Sequence, residues 1–283
     1  MKFVIRADDV GYTPVHNIGT IKSMEEGLVT SADVMLDCSG TIEILKWLKE
    51  HPWISVGWHA HLWGSPVADP HRVPSMINES GRFVGRRDRK EKNQIKYEEA
   101  LIELRAQMDR CVEILGRVPD TAPAPLDDSD LSKAIADVAQ EYGIAVDFMS
   151  TTMMGNYSAA SDRFISKNIH GVDPQYQYVG AMKHDEGNAY NPMNFYRDFV
   201  TAEMLESNNT YVTPWHPGYL DELVLSESSM TWCRVVDVRF LCSEEFKAYI
   251  RDHKIELVNF RDVIYGTKEY QNHLKLVNSD LYI

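Results

Sequence analysis

The chain has 283 residues, 44% of them hydrophobic and 25% charged, the composition of a soluble globular protein with a sizeable core. Its 29 basic against 42 acidic residues give a formal net charge of −13, which disfavours nonspecific binding to nucleic acid or anionic membrane. No apolar run approaches the roughly 18 residues a spanning helix needs, and four widely spaced cysteines without a C-x-x-C argue against a zinc ribbon or a disulfide framework.

In chain order, "KFVIRADD" reads as a short buried strand that ends in charge, too soon polar for a signal peptide. "NIGTIKSMEEGL" places Ile18, Ile21, Met24 and Leu28 at helical spacing. "TSADVML" is a second strand. "TIEILKWLKEHP" is a helix with Ile42, Leu45 and Leu48 on one face and Pro52 beyond its end. "ISVGWHAHL" is a third strand, so the chain opens β-α-β-α-β, the pattern of a parallel sheet with crossover helices. Residues 64–95, with several Pro and Gly and the basic run "RRDRKEK", read as a loop insertion. That run is either a solvated face or a contact for an anionic group. "KYEEALIELRAQMDRCVEILG" is an amphipathic helix with Leu101, Leu104, Met108, Cys111 or Val112, and Leu115 on its buried face. "LSKAIADVAQEYG" is another helix, and "IAVDFMS" a strand after it. Residues 152–190 are irregular, and a second insertion is expected near 152–200. "YVTPWHPGY" is a strand end and turn, "SEEFKAYIRDH" a helix capped by Ser243, and "IELVNF" a last strand. No repeat or linker divides the chain, so one α/β domain over residues 1–283 is expected, in a reduced, cytoplasmic compartment.

In parallel α/β proteins, polar residues at the carboxyl ends of strands gather on one face of the sheet. Three candidates fall there. Asp8 and Asp9 follow "FVIRA"; adjacent carboxylates repel, which suits a place where a cation or proton compensates, with one ligating a metal and the other acting as base. The bland alternative is an Asp that caps a turn. His59 and His61 sit two apart on a strand, hence on one side, where two imidazoles can bind one divalent ion. His216 in "TPWHPGY" is presented rigidly between Pro214 and Pro217, which suits a general acid or base. His51, His170, His253 and His273 read as structural or exposed, and His16 and His184 stay unplaced. Together the three sites suggest metal-assisted hydrolysis.

"ADDVGYTPVHNIGTIKSMEEGLVTSADVM" resembles the opening motif of the YdjC/ChbG-like carbohydrate deacetylases. "VGWHAHL" is similar to that family's Gly-Leu-His-Leu-Asn motif, and "WHPGYLDE" with Arg234 and "FLCSEEF" to its C-terminal part. The resemblance runs from residue 2 to about residue 265. It implies a variant (β/α) barrel, TIM-like with mostly parallel strands, that removes an N-acetyl group from a small amino sugar or oligosaccharide with a divalent cation (Zn, Mg, Ni, Co or Mn). By position, Asp8 would be the base, Asp9 and His59 metal ligands, and His216 the acid. Trp58, Trp63, Trp215 and Tyr219 would offer rings to the sugar or else pack in the core, and Arg234 would bind substrate or orient Asp8. No nucleic acid or membrane partner is implied, and a homo-oligomer stays open.

One motif departs. The family's third motif, approximately Asp-Ser-His-x-His, here reads "DTAPA": Asp120 and Thr121 match its start, and Ala122 and Ala124 stand at the histidine positions. Alanine ligates no metal. Three readings follow: His61 replaces the missing ligand; Asp127, Asp128 or His184 does; or the protein binds sugars without hydrolysing them. A different metal-dependent barrel enzyme, such as a sugar isomerase or phosphoesterase, is a further alternative.

Overall fold

The computed structural model of the chain describes residues 1–85, 88, 94–123, 129–146, 169–171 and 190–283. β1 (Lys2–Val10) is buried from Phe3 to Val10 on both faces, as expected of a parallel strand covered on both sides. α1 (Pro14–Glu25), β2 (Ser31–Val34), α2 (Thr41–Glu50) and β3 (Ser55–Trp58) complete the expected opening. After them come α3 (Tyr97–Leu115), β4 (Thr121–Ala122), α4 (Asp130–Glu141), β5 (Ala145–Val146), β6 (Ile169–Gly171), α5 (Pro192–Phe199) and α6 (Ala202–Glu206). The C-terminal part runs β7 (Thr210–Trp215), α7 (Glu222–Glu227), α8 (Trp232–Leu241), α9 (Glu244–Asp252), β8 (Glu256–Leu257), α10 (Phe260–Tyr265) and α11 (Glu269–Leu276).

All pairings among these strands are parallel, in the order β5-β4-β3-β2-β1-β7-β6. β1 carries β7 along one edge, from Lys2 opposite Thr210 to Ala7 opposite Trp215. Its other edge is shared: β8 pairs at Lys2 and Phe3, and β2 further along from Arg6. The α/β, mostly parallel architecture is therefore as expected, and it turns the carboxyl ends of β1, β2, β3 and β7 to one side. No helix among the described residues is long and apolar enough to cross a membrane.

Two helix faces differ from the sequence pattern. On α1, Ile18 is 57% exposed, and the buried side is His16, Asn17, Gly19, Thr20, Ser23 and Met24. The reason is close packing: a side chain at Gly218 would lie 2.1 Å from the His16 ring, so the helix meets the Pro217–Tyr219 turn through small and polar groups. On α2, Ile42 is 47% exposed and Ile44 takes its place beside Leu45 and Leu48. α3 buries Leu101, Leu104, Met108, Cys111 and Leu115, and leaves Val112 outside.

Residues 64–85 form an anchored loop. Two short 3-10 turns, Pro70–Arg72 and Pro74–Met76, lead to an antiparallel bridge between Ile77 and Phe83, and Val73, Met76 and Phe83 are buried. Glu103 of α3 accepts the N–H groups of Val67 and Ala68, each at 3.0 Å. The basic run at 86–92 lies outside the described residues except Asp88, as do Ala124, Asp127, Asp128 and His184.

The amino-end side of the sheet is tied by charge. Asp120 accepts the Val56 N–H at 2.8 Å, Arg261 Nη1 at 2.8 Å and Arg117 Nη1 at 2.7 Å. It matches the third motif in sequence, and its place here is structural. Near it, Trp47 stacks on His51 with centroids 3.6 Å apart, and Trp53 on His273 at 3.8 Å. His51, His253 and His273 thus make packing or backbone contacts, His253 through Tyr249 O at 2.9 Å.

Candidate active site

The carboxyl end of β1 delivers Arg6, Asp8 and Asp9 within four residues. Asp8 is held by Arg6, whose Nε donates to Oδ1 at 2.6 Å and Nη2 to Oδ2 at 2.9 Å. Burial acts to raise the Asp8 carboxyl, but Arg6 and the nearby imidazoles outweigh it and hold the group below its ordinary range. Asp9 has φ 58, in the left-handed region, so the strand turns sharply at the residue that occupies the centre of the site.

The two oxygens of Asp9 face different neighbours. Oδ2 accepts Arg234 Nη2 at 2.6 Å and lies 4.0 Å from His216 Nε2. Oδ1 lies 3.1 Å from His59 Nε2 and 3.9 Å from His61 Nε2. Burial again works against ionisation, yet Arg234 and His59 hold the Asp9 carboxyl well below the usual range. β3 ends at Trp58, so His59 and His61 stand just past the strand; their rings meet edge to face with centroids 4.1 Å apart.

The structure also brings in Asp33 from the middle of β2, a residue the sequence reading passed over as part of an apolar strand. Its Oδ2 is 3.7 Å from His59 Nδ1 and 3.4 Å from Arg6 Nε. Room for it exists because residue 57 is glycine: a Cβ there would fall 1.9 Å from Asp33 Oδ1. Asp33 Oδ1 and Thr121 Oγ1 are buried without a partner among the described residues. A charged residue inside a strand otherwise made to be buried, with glycine on the next strand, was the available signal.

Arg234 is fully buried and does not face a substrate surface. Besides Asp9, it donates to Met230 O at 2.7 Å and Ser228 Oγ at 3.1 Å, and its Nη1 lies 3.2 Å from His16 Nε2. It therefore pairs Asp9, not Asp8, which corrects both expected roles. Burial, with Arg234 beside it, lowers His16 to about 3, so this imidazole is uncharged. Since its Nε2 meets a guanidinium, its proton belongs on Nδ1.

His216 follows β7, its backbone N–H donating to Asp237 Oδ2 at 3.0 Å. Burial lowers it to about 4, and its Nδ1 has no partner among the described residues. Of the four expected stacking rings, Trp58 (1% exposed) and Trp215 (0%) are core side chains: their indole N–H groups reach Gln107 Oε1 at 3.3 Å and Tyr196 Oη at 3.1 Å. Their place is set by packing, since Trp58 lies within the strand and its neighbours close over it. Trp63 and Tyr219 are only partly buried, and Trp63 stacks on His61 with centroids 5.3 Å apart.

The donor set fits a divalent cation. Donors about 2.1 Å from a tetrahedral ion lie roughly 3.4 Å apart. The Asp9–His59 and Asp9–His61 separations of 3.1 and 3.9 Å bracket that value, and one donor atom from each of the three lies within 4.8 Å of the others. Charge agrees: among the described residues the buried carboxylates of Asp8, Asp9 and Asp33 face two guanidiniums, Arg6 and Arg234. Against its burial, His59 is raised to about 10 by Asp33 and Asp9, the mark of a place that favours a positive charge. Asp33 behind His59 is the kind of outer carboxylate that orients a metal-binding imidazole.

Fold and centre together define an α/β protein with a buried carboxylate–imidazole cluster at the carboxyl ends of parallel strands. The chain belongs to the YdjC-like protein family, which matches residues 2–252. It is 30% identical over 270 residues, 93% of this chain and 100% of the relative, to a carbohydrate deacetylase of Brevibacillus brevis. It is 27% identical over 271 residues, with 93% and 100% covered, to a carbohydrate deacetylase of Clostridium beijerinckii. Its fold is similar to a crystal structure from Enterococcus faecalis V583 (TM-score 0.74, 22% identity, 93% of this chain and 98% of that one), a protein given a provisional role in cellobiose-phosphate cleavage.

Proposed function

We propose that this protein is a carbohydrate deacetylase, an amide hydrolase that releases acetate from an N-acetylated amino sugar or oligosaccharide. The observation that carries the reading is the convergence of Asp9, His59 and His61 on one point, with Asp8 and His216 beside it. The relatives named above support the substrate class.

Asp9, His59 and His61 would hold a divalent cation, with Asp33 behind His59; which of Zn, Mg, Ni, Co or Mn it is stays with the metal analysis below. The cation supplies positive charge where the amide oxygen becomes negative and water becomes nucleophilic. Asp8 takes the proton of the attacking water. Arg6 uses one acceptor position on each Asp8 oxygen, and a carboxylate oxygen has two, so both keep a site for water. Water adds to the carbonyl carbon, the C–N bond breaks, the nitrogen gains a proton, and acetate and the free amine leave. His216 stands uncharged at neutral pH, so it takes up a proton within the reaction before giving one to the leaving nitrogen. Arg234 holds Asp9 in place from below.

His61 takes the part of the histidines absent at 122 and 124. Ala122 is buried in β4 and offers no donor, which favours His61 over a third-motif ligand. We read the chain as a single, cytoplasmic, variant-barrel domain acting on small substrates. The test is metal analysis of purified protein with an amine-release assay on N-acetylglucosamine oligosaccharides. Stoichiometric metal and amine release, both lost in His61→Ala, are expected. Chelator-insensitive sugar binding with no product on prolonged incubation would instead favour a non-catalytic sugar-binding protein.

A further inference from the structure

Beside the Asp9 centre lies a cavity of about 290 Å³ lined by Tyr12, Asp37, Cys38, Trp63, Arg82 and Leu223 among others. None of Asp8, Asp9, His59, His61 or His216 lines it. It abuts the centre through two rings. Trp63 stacks on His61 with an interplanar angle of 20°, and Tyr12 packs 6.0 Å from His16 and 5.8 Å from Arg234. The two rings also touch each other, with centroids 5.1 Å apart.

Three observations mark the cavity as a built site. First, its size stands at the small end of the roughly 300–1,000 Å³ of ligand pockets, room for one ring of a sugar. Second, Tyr12 is 1% exposed, and its hydroxyl is buried with no hydrogen-bond partner among the described residues. A buried hydroxyl without a partner is costly, and a ligand group removes that cost. Third, Arg82, a cation lining the cavity, is already engaged: it pairs with Glu227 at the end of α7, Nη2 to Oε2 at 2.9 Å, and donates to Trp63 O at 3.0 Å. Asp37 is occupied as well, with Oδ2 accepting the Gly64 N–H at 2.6 Å. The cavity thus offers aromatic and aliphatic wall, the buried Tyr12 hydroxyl without a partner among the described residues, and charges that already have partners.

We propose that this cavity is a specificity subsite that takes an uncharged pyranose ring, its apolar face against Trp63 and one of its oxygens on the Tyr12 hydroxyl. The proposal rests on the deacetylase reading in placing the acetamido group at Asp9. The ring in the cavity is then the part of the substrate next to the reacting amide, since none of the five residues of the centre lines it. Trp63 and Tyr12 are specificity-determining residues, and Arg82–Glu227 closes one wall.

The experiment measures both sides separately. Binding of the N-acetylglucosamine disaccharide, its fully de-N-acetylated form and the 6-phosphate of the acetylated disaccharide is followed by calorimetry in wild type, Trp63→Ala, Tyr12→Phe and Leu223→Trp. Amine release gives kcat and KM for the same set. Expected are a rise of about tenfold in Kd and KM for Trp63→Ala, a smaller rise for Tyr12→Phe, and kcat within about twofold in both. Leu223→Trp, which fills the cavity while keeping both Tyr12 and Trp63 in place in the sequence, repeats the loss if Trp63→Ala does not fold. Unchanged sugar binding in Tyr12→Phe and Leu223→Trp, or a 6-phosphate bound at least tenfold more tightly than the plain disaccharide, overturns the proposal. If wild type binds the disaccharide, loses it on these substitutions, and releases no amine, the deacetylase reading fails while the subsite stands.

Discussion

Two ends of the same sheet each carry a buried charged cluster, and they are built differently. At the amino end, Asp120 takes three hydrogen bonds from Val56, Arg117 and Arg261, and Arg261 goes on to Glu269 at 2.6 Å. At the carboxyl end, three carboxylates share two guanidiniums. The four buried side-chain atoms without a partner among the described residues belong to Tyr12, Asp33, Thr121 and His216, all in or beside that second cluster. Fully partnered charge fixes strands and a helix; charge left incomplete is what a ligand or cation completes. The histidines follow suit. His51 and His273 stack on tryptophans at the amino end, whereas His59 and His61 turn nitrogens to Asp9.

The largest effect is expected from Asp9→Asn. Amine release should fall by about 10²–10⁴-fold, and stability by about 3–5 kcal/mol because Arg234 is left buried without its counter-charge. Denaturant unfolding and initial rates on the same preparation check both halves. Asp120→Ala should cost about 3–5 kcal/mol in the same unfolding experiment, since two arginines lose a shared partner. Its kcat/KM per folded molecule should match wild type; a hundredfold drop would erase the contrast between the two ends. Asp33→Asn should weaken metal binding by about 10–100-fold in a competition titration, and should also lower the unfolding midpoint of metal-free protein, because His59 loses a carboxylate that stabilises its charge.

Acid sharpens the contrast further. Burial holds His16 at about 3 and His216 at about 4, against roughly 6.5 when unfolded. Between those limits the unfolded chain binds more protons, so their contribution to stability is present above pH 6.5 and lost as pH falls toward 4 and below. In metal-free protein, His59 opposes this at alkaline pH: raised to about 10, it adds stability below pH 6.5 that is lost as pH rises to 10. Unfolding of chelated protein across pH 4–10 should show both limbs, and His16→Asn should shallow the acid one. The smallest effect is expected at the ring stacks. His273→Ala should cost about 0.5–1.5 kcal/mol and leave amine release unchanged.

Much of this was written plainly in the chain. The β-α-β-α-β opening and the Asp8-Asp9 strand end are local patterns, and each is where the sequence put it. His59 and His61 do turn to one carboxylate, but from the segment past β3 and not as alternate residues of a strand. What was hidden depends on contacts across the sheet. Asp33 looks like one polar residue in an apolar strand until Gly57 on the neighbouring strand makes room for it. Arg234 lies 225 positions from Asp9, and nothing local tells which carboxylate it meets. Trp58 and Trp215 were ambiguous because an aromatic ring fills a core as well as it faces a sugar, and here neighbouring elements cover both. Ile18 misled because α1 meets its neighbour through small and polar groups, where a periodic apolar stripe says nothing.

The link between Asp9 and Arg234 bears also on how the molecule comes into being. Asp9 and its buried partner lie 225 residues apart, so synthesis delivers Asp9 well before Arg234. Contacts so distant in sequence form only after a large loop has closed, and such closure is slow. Until Arg234 docks, Asp9 stands on β1 without its guanidinium, whereas Asp8 has Arg6 two residues away from the start. The balance of charge around Asp9 is therefore completed only when α8 docks against β1.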